Sequence, residues 1–214
     1  GINWTVQTPA LTTSWQSVSW SADVSLFVAV ASAGSFRVMT SPDGITWIGQ
    51  NRGLTTGFWN DMAWSASLGI YVAVGQSACE TSTDGKNWTA RIIPVGVWKS
   101  VIWVSSLNLF VAVGEGATYF VATSPDGITW TARVAAVNNA WQSVIWADTL
   151  NLLVAISNTG DNRVMTSPDG TTWTSRITAS SALSHTFGKM CWSEDLGLFV
   201  AVLNPASGFN NCIT

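Results

Sequence analysis

Short apolar runs recur along the chain, from Leu26 to Val30, Ile70 to Val74, Leu109 to Val113, Leu152 to Ile156 and Leu198 to Val202. They are rich in Val, Phe and Ile, lack the three-and-four spacing of a helical face and are bounded by turn residues, so the pattern predicts five buried strands. Ahead of each run stands a six-residue segment with an aromatic at both ends: Trp15 to Trp20 (WQSVSW), Trp59 to Trp64 (WNDMAW), Trp98 to Trp103 (WKSVIW), Trp141 to Trp146 (WQSVIW) and Phe187 to Trp192 (FGKMCW). After four of the runs a variable stretch leads into a second motif: Thr40 to Trp47 (TSPDGITW), Thr81 to Trp88 (TSTDGKNW), Thr123 to Trp130 (TSPDGITW) and Thr166 to Trp173 (TSPDGTTW).

The glycines of that motif, Gly44, Gly85, Gly127 and Gly170, follow one another at 41, 42 and 43 residues. A period near 42 fits either paired helices or a four-stranded propeller unit, and the β-branched, five-residue runs select strands. Asp-Gly flanked by strand-like residues is the chemistry of a tight hairpin, with Gly supplying positive φ. The expected fold is all-β: a five-bladed β-propeller with four antiparallel strands per blade. Its blades are expected near residues 7–48, 49–91, 92–133, 134–176 and 177–214, forming one domain over 1–214. The opening GINWT reads as a fourth strand and the closing CIT as a third. Residues 1–6 are therefore expected to pair with 210–214, completing the last blade and closing the ring, which removes two open sheet edges.

Composition narrows the classes. With 47% hydrophobic residues, 10% charged residues and a net charge of −3, the chain can bury enough surface to fold, which excludes disorder. It has no basic cluster to neutralise phosphates, so no nucleic-acid partner is expected. No apolar run reaches the roughly 18 residues of a spanning helix, so no membrane insertion is expected, and no signal peptide is visible after Gly1. The 14 tryptophans read mainly as packing. Trp4, Trp47, Trp88, Trp130 and Trp173 fall at the outer strand and Trp20, Trp64, Trp103, Trp146 and Trp192 at the end of the first strand. Rings of about 150–250 Å² can glue neighbouring blades at these places.

The Ser-x-Asp-Gly-x-x-Trp hairpins resemble the Asp-box (BNR) repeats of sialidase-like propellers, here one residue shorter between Asp and Gly. The resemblance implies that Asp43, Asp84, Asp126 and Asp169 are structural, bonding turn amides while the following Trp packs, on the face opposite the usual binding side. In blade count and repeat length the chain is also similar to tachylectin-2-type lectins. That likeness is architectural, and fold alone does not assign function.

A catalytic set is not expected. A glycosidase needs two carboxylates flanking the scissile bond, and only Asp61 lies in a first strand near the axis, where its counterparts are Ser17, Ser100, Ser143 and Lys189. Arg91, Arg133 and Arg176 recur three residues after the outer Trp and read as solvated decoration. The single histidine, His185, sits in a Ser/Thr-rich loop. Cys79, Cys191 and Cys212 are scattered, and the last two lie two strands apart, roughly 10 Å, too far for a disulfide. Three free thiols, no metal and no cofactor are expected. The sequons at Asn3 and Asn87 belong to the repeated outer strand and read as by-products of the consensus.

Variation concentrates in the loops opposite the hairpins, which are rich in Asn, Gln, Ser, Thr and Gly. Variable polar loops on a rigid repeat scaffold are how binding surfaces are usually built. The expectation is a monomeric, non-catalytic lectin-like or adhesin-like module meeting a glycan or glycoprotein surface through several related weak sites, whose avidity would offset weak single-site affinity. The candidate ligand residues are the entry aromatics Trp15, Trp59, Trp98 and Trp141, for which packing is the competing role, and the amides Asn60, Asn138, Asn139, Asn158 and Asn162. A protein-interaction scaffold is the alternative class, and a glycoside hydrolase a more distant one.

Overall fold

The computed structural model of the protein describes residues 3–34, 36–50, 57–116, 119–177, 186–204 and 212–213. Five antiparallel sheets follow one another along the chain. The first holds β1 (Trp15–Ser21), β2 (Leu26–Ala31), β3 (Val38–Ser41) and β4 (Ile48–Gly49). The second holds β5 (Trp59–Ser65), β6 (Ile70–Gly75), β7 (Ala78–Ser82) and β8 (Thr89–Arg91), and the third β9 (Val97–Val104), β10 (Leu109–Glu115), β11 (Val121–Ser124) and β12 (Thr131–Arg133). The fourth holds β13 (Trp141–Ala147), β14 (Leu152–Ser157), β15 (Val164–Ser167) and β16 (Thr174–Arg176). The fifth has three strands, β17 (Thr186–Ser193), β18 (Leu198–Asn204) and β19 (Cys212–Ile213). In each, consecutive strands are neighbours, the meander of a propeller blade.

Apolar rows on facing sheets make the core, because a sheet covered on both sides can be apolar on both. Val28, Val30 and Val38 of the first sheet meet Met62, Tyr71 and Ala73 of the second. Val72, Val74 and Cys79 of the second meet Val101, Phe110, Ala112 and Ala122 of the third. Val111, Val113 and Val121 meet Val144, Leu153, Ala155 and Met165 of the fourth, and Ile156 packs with Phe187, Met190 and Ala201 of the fifth. Burial pushes the Cys79 thiol up to about 12, so it is an inert packing group.

The Asp-Gly turns carry the positive-φ glycine expected, in a loop longer than a two-residue connection. Only the glycine has positive φ (72°, 68°, 72° and 75° at Gly44, Gly85, Gly127 and Gly170), whereas a type I′ turn needs both central residues there. The loop instead runs from the third strand to the Trp, which precedes the fourth strand instead of lying within it. Its closure is the same four times. The Ser hydroxyl accepts the Gly N–H at 2.8–2.9 Å. The Asp Oδ1 accepts the next two amides at 2.7–2.8 Å. The Trp Nε1 donates to the Gly carbonyl at 3.1–3.2 Å. Asn87 also spends its Nδ2 on Asp84, at 2.7 Å. Beyond the loop, Arg91, Arg133 and Arg176 do more than decorate the surface: each Nε donates to a third-strand threonine, Thr81, Thr123 or Thr166, at 2.8–3.0 Å, with Arg176 still exposed and the other two half-buried. Gln50 does the same to Thr40.

The pairing expected between residues 1–6 and 210–214 is not formed among the described residues. Residues 3–9 carry no strand, Trp4 is 90% exposed, and β19 pairs only with β18. Residues 1, 2, 210, 211 and 214 lie outside the described set.

Candidate functional site

A β-bulge repeats at the entry of the first strand in every sheet. Trp15 pairs with Ala31 and Ser17 with Val30, so Gln16 is left over. Asn60, Lys99 and Gln142 are left over in the same way between their paired neighbours. In β17 the register jumps from Phe187 to Met190, leaving Gly188 and Lys189 opposite one residue. A bulge re-aims the extra side chain out of the sheet's two faces. Here it delivers all of them to one place: Gln16, Asn60, Lys99, Gln142, Gly188 and Lys189 line a cavity of about 270 Å³, with Asn158 and Phe187. Since β1, β5, β9, β13 and β17 all contribute, this cavity lies where the five first strands converge, at their starts and so on the side of the variable loops.

Polar groups tie the cavity together. Lys99 Nζ sits 2.9 Å from Glu115 Oε1, and Gln142 Nε2 donates to Glu115 Oε2 at 3.3 Å and to the Ala140 carbonyl at 3.1 Å. Asn60 Nδ2 donates to the Trp98 carbonyl at 2.8 Å. The Asn158 Oδ1 accepts the Phe187 amide, linking the fourth and fifth sheets. One step deeper, Lys189 Nζ donates to Asp61 Oδ2 at 3.0 Å, joining the fifth sheet to the second across the cavity. The same oxygen accepts the Val101 amide at 3.2 Å. Two ammonium groups thus meet two carboxylates, and the mouth is neutral, rich in amides and rigidly braced. Asp61 is spent on the brace. Among the described residues there is no cluster of three His, Cys, Asp or Glu able to hold a metal; His185 lies outside them.

The sequence-derived candidates divide. Trp59, Trp98 and Trp141 are fully buried and therefore have no ring face open to a ligand. They point between sheets, and Trp98 and Trp141 anchor their Nε1 on the carbonyl four residues earlier, Pro94 and Val137. Trp15 does the same to Leu11 yet remains half-buried. The tryptophans at the ends of the first strands pack on the second strand, with ring centroids 4.3–4.6 Å apart in Trp20–Phe27, Trp64–Tyr71, Trp103–Phe110 and Trp192–Phe199. The deepest rings are thus the ones weighed as ligand contacts. Asn60 and Asn158 reach the mouth. Asn139 is buried, its Nδ2 on the Asn162 carbonyl at 2.8 Å, and Asn138 is exposed; neither it nor Asn162 lines the mouth. Gln16, Lys99, Gln142 and Glu115 are absent from the candidate set. The signal for three of them was present, because the residue after each entry aromatic is polar in four copies out of five.

Solved structures place this arrangement among the β-propellers. YCF48 bound to D1 peptide is 18% identical with a TM-score of 0.66, covering 93% of this chain and 63% of its own. An ancestral GH74 enzyme is 16% identical with a TM-score of 0.69, over 95% and 29%. The Cps50 (Swd1) β-propeller domain of Myceliophteria thermophila is 11% identical with a TM-score of 0.64, over 94% and 64%. This chain therefore spans less than two thirds of the length of these structures. At such identities the likeness concerns fold, and the functions are mixed. No protein-family model matches the chain, and no curated protein matches it by sequence.

Proposed function

We propose that the chain is a non-catalytic binding propeller, one five-bladed domain over 1–214, whose ligand is an extended segment of a partner protein held at the mouth of the central cavity. The observation that carries this reading is the repeated bulge. One backbone device presents five positions to a single cavity, and the side chains there differ from sheet to sheet. A composite of Gln, Asn and Lys around one opening suits the irregular donors and acceptors of a peptide. It suits several equivalent weak sites less well. YCF48, a propeller of similar fold, has been solved with a peptide bound, which lends the reading support by analogy.

The same proposal includes two finer points of fold. The shared roles of Ser, Asp, Gly and Trp in the four hairpins favour kinship with Asp-box repeats. The Trp4-to-Gln7 segment, which matches Trp47 to Gln50 in its place in the sequence repeat, is assigned as the fourth strand of the last blade.

A second reading, a glycan ligand, is favoured by one observation: the mouth is neutral and amide-rich, as hydroxyl-rich ligands require. A peptide array followed by calorimetry separates the two. The expected result is peptide binding that weakens at least tenfold in Gln142→Ala or Lys99→Met and is indifferent to free monosaccharides. Competition by a monosaccharide would select the glycan reading, and turnover of aryl glycosides lost in Asp61→Asn would overturn both.

A further inference from the structure

A second cavity, of about 510 Å³, lies between the second sheet with its hairpin and the hairpin of the third, and shares no residue with the mouth. Its size falls within the roughly 300–1,000 Å³ of small-molecule sites. The second hairpin is also where the repeat departs from itself. It reads Ser-Thr-Asp-Gly-Lys-Asn-Trp, with Thr83 where the others have Pro42, Pro125 and Pro168, and Asn87 where they have Thr46, Thr129 and Thr172. Closing the loop requires neither change. In the third hairpin the Thr129 hydroxyl donates to Asp126 Oδ2 at 3.2 Å, the same service that Asn87 Nδ2 performs for Asp84 at 2.7 Å. What Asn87 adds is its Oδ1, which accepts no hydrogen bond among the described residues. Thr83 adds a hydroxyl in place of a ring, and both residues line the cavity.

We propose that this cavity is a second binding site, independent of the mouth, for a small zwitterion: one carboxylate and one ammonium on an apolar body, as in a free aliphatic amino acid. Each part of such a ligand meets a group with unspent capacity. Arg91 is half-buried, with its Nε fixed on Thr81 Oγ1 at 2.9 Å. Its two terminal nitrogens make no hydrogen bond or ion pair among the described residues. A guanidinium held at Nε keeps its terminal edge for a carboxylate, the partner its planar fork fits best. From the third sheet, Asp126 Oδ1 already accepts the Ser124 hydroxyl and the Ile128 and Thr129 amides, whereas Oδ2 accepts only the Thr129 hydroxyl. Together with Asn87 Oδ1 it offers two acceptors to an ammonium. Leu68 and Ile128, 41% and 47% exposed, and Ile70 supply the apolar wall. The lining carries one cation and one anion. A ligand with a single charge therefore leaves one of them unanswered, and a zwitterion answers both.

Titration of the unmodified chain with L-leucine, read by calorimetry and by the methyl NMR signals of Thr83, Thr89 and Ile128, tests the site. The expected result is saturable binding of one leucine per chain that moves these signals. Leucinamide lacks the carboxylate and 4-methylpentanoate lacks the ammonium, and each is expected to bind about tenfold more weakly. The factor is modest because water reaches both charged walls and screens them. Two variants locate the ligand. Arg91→Gln is expected to weaken leucine by a similar factor. Thr83→Pro with Asn87→Thr restores the residues of the other three hairpins, so it is expected to keep the urea midpoint of the unmodified chain while losing leucine about tenfold. No saturation by roughly 10 mM leucine, equal affinity for the three probes, or binding that survives both variants would each overturn the proposal. Leucine binding lost in Gln142→Ala but kept in the hairpin variant would overturn it too, by placing the ligand at the mouth. The peptide reading does not depend on this cavity and stands or falls alone.

Discussion

The two ends of each repeat obey opposite rules. At the hairpin end, Ser41, Asp43, Gly44 and Trp47 make the same bonds as their counterparts in three other sheets, to within about 0.1 Å. At the mouth end, the bulge is kept in every sheet but the residue it presents changes from Gln16 to Asn60, Lys99, Gln142 and the Gly188–Lys189 pair. Repetition of side chains therefore marks what each blade needs to fold, and repetition of backbone with varied side chains marks what the molecule offers to others. One element crosses this division: the entry tryptophans Trp59, Trp98 and Trp141 stand at the mouth end yet are buried packing.

The sharpest way to break the comparison is at that element. Trp98→Ala removes a ring with no exposed surface and leaves Pro94 without its indole donor. It is expected to cost about 3–5 kcal/mol, the usual range for a buried aromatic truncated to alanine. Urea unfolding followed by far-UV circular dichroism checks it. A loss below about 1 kcal/mol would mean the mouth end carries no structural load.

At the hairpin end, Ser82→Ala deletes the acceptor of the Gly85 and Asp84 amides, at 2.9 and 3.3 Å, and the donor to Asp84 Oδ1. Gly85 is buried, so its amide is left without a partner away from water, and a loss of about 1–3 kcal/mol is expected. Ser124→Ala and Ser167→Ala are expected to match it, since the bonds are the same. Unequal costs among the three would show that the hairpins are alike in geometry but not in energy.

Much of this division was legible before any coordinates. The Gly role could be read from turn chemistry, and the Asp and Trp roles from the Asp-box resemblance, because a hairpin is local and all its partners lie within a few residues; the Ser hydroxyl's part in the closure was not read. The five sheets could be read because short apolar runs of fixed length and period leave few other architectures. The bulge could not be read. It is a mismatch between two strands, visible only once Ser17 is seen to pair with Val30 while Trp15 pairs with Ala31. The depth of Trp59, Trp98 and Trp141 was hidden for a related reason, because aromatic spacing along one strand does not say which neighbouring sheet a ring meets.

Acid sharpens the comparison with a smaller effect. Asp43 is held down to about 2 by the Thr46 and Ile45 amides and the Ser41 hydroxyl. At Asp84 and Asp169 burial pushes upward but is outweighed by bonds from Asn87 and Lys86 or from Thr172 and Thr171, again giving about 2. Asp126 shifts downward through the Thr129 and Ile128 amides against the same opposing burial. A carboxylate depressed below its ordinary value near ~3.9 stabilises the fold fully above that value, and loses this contribution as pH falls toward the folded value. The urea midpoint is therefore expected to be flat above about pH 5 and to fall between about pH 4 and 2. Asp84→Asn, which keeps an oxygen for the amides but has no charge to titrate, is expected to shallow that fall. A midpoint independent of pH in this window would remove the electrostatic part of the hairpin argument.

The smallest expected effect on stability falls where the largest effect on recognition is expected. Gln142 is half-buried in the mouth and donates to Glu115 and to Ala140, but Glu115 keeps Lys99 and the Ala140 carbonyl lies near solvent. Gln142→Ala therefore strands no buried group, and a stability change within about 0.5 kcal/mol is expected. If the mouth is the recognition surface, the same variant weakens ligand binding at least tenfold while the hairpin variant Ser82→Ala, measured where it remains folded, leaves affinity unchanged. Calorimetric titration of both variants against one peptide tests this crossing of effects. Equal losses of affinity in the two would mean that binding follows global stability and that the bulge residues hold no special place. A large loss of stability in Gln142→Ala would mean that the mouth is braced for folding, as the entry tryptophans are, and that variation among its side chains reflects five local packing solutions to one geometric problem.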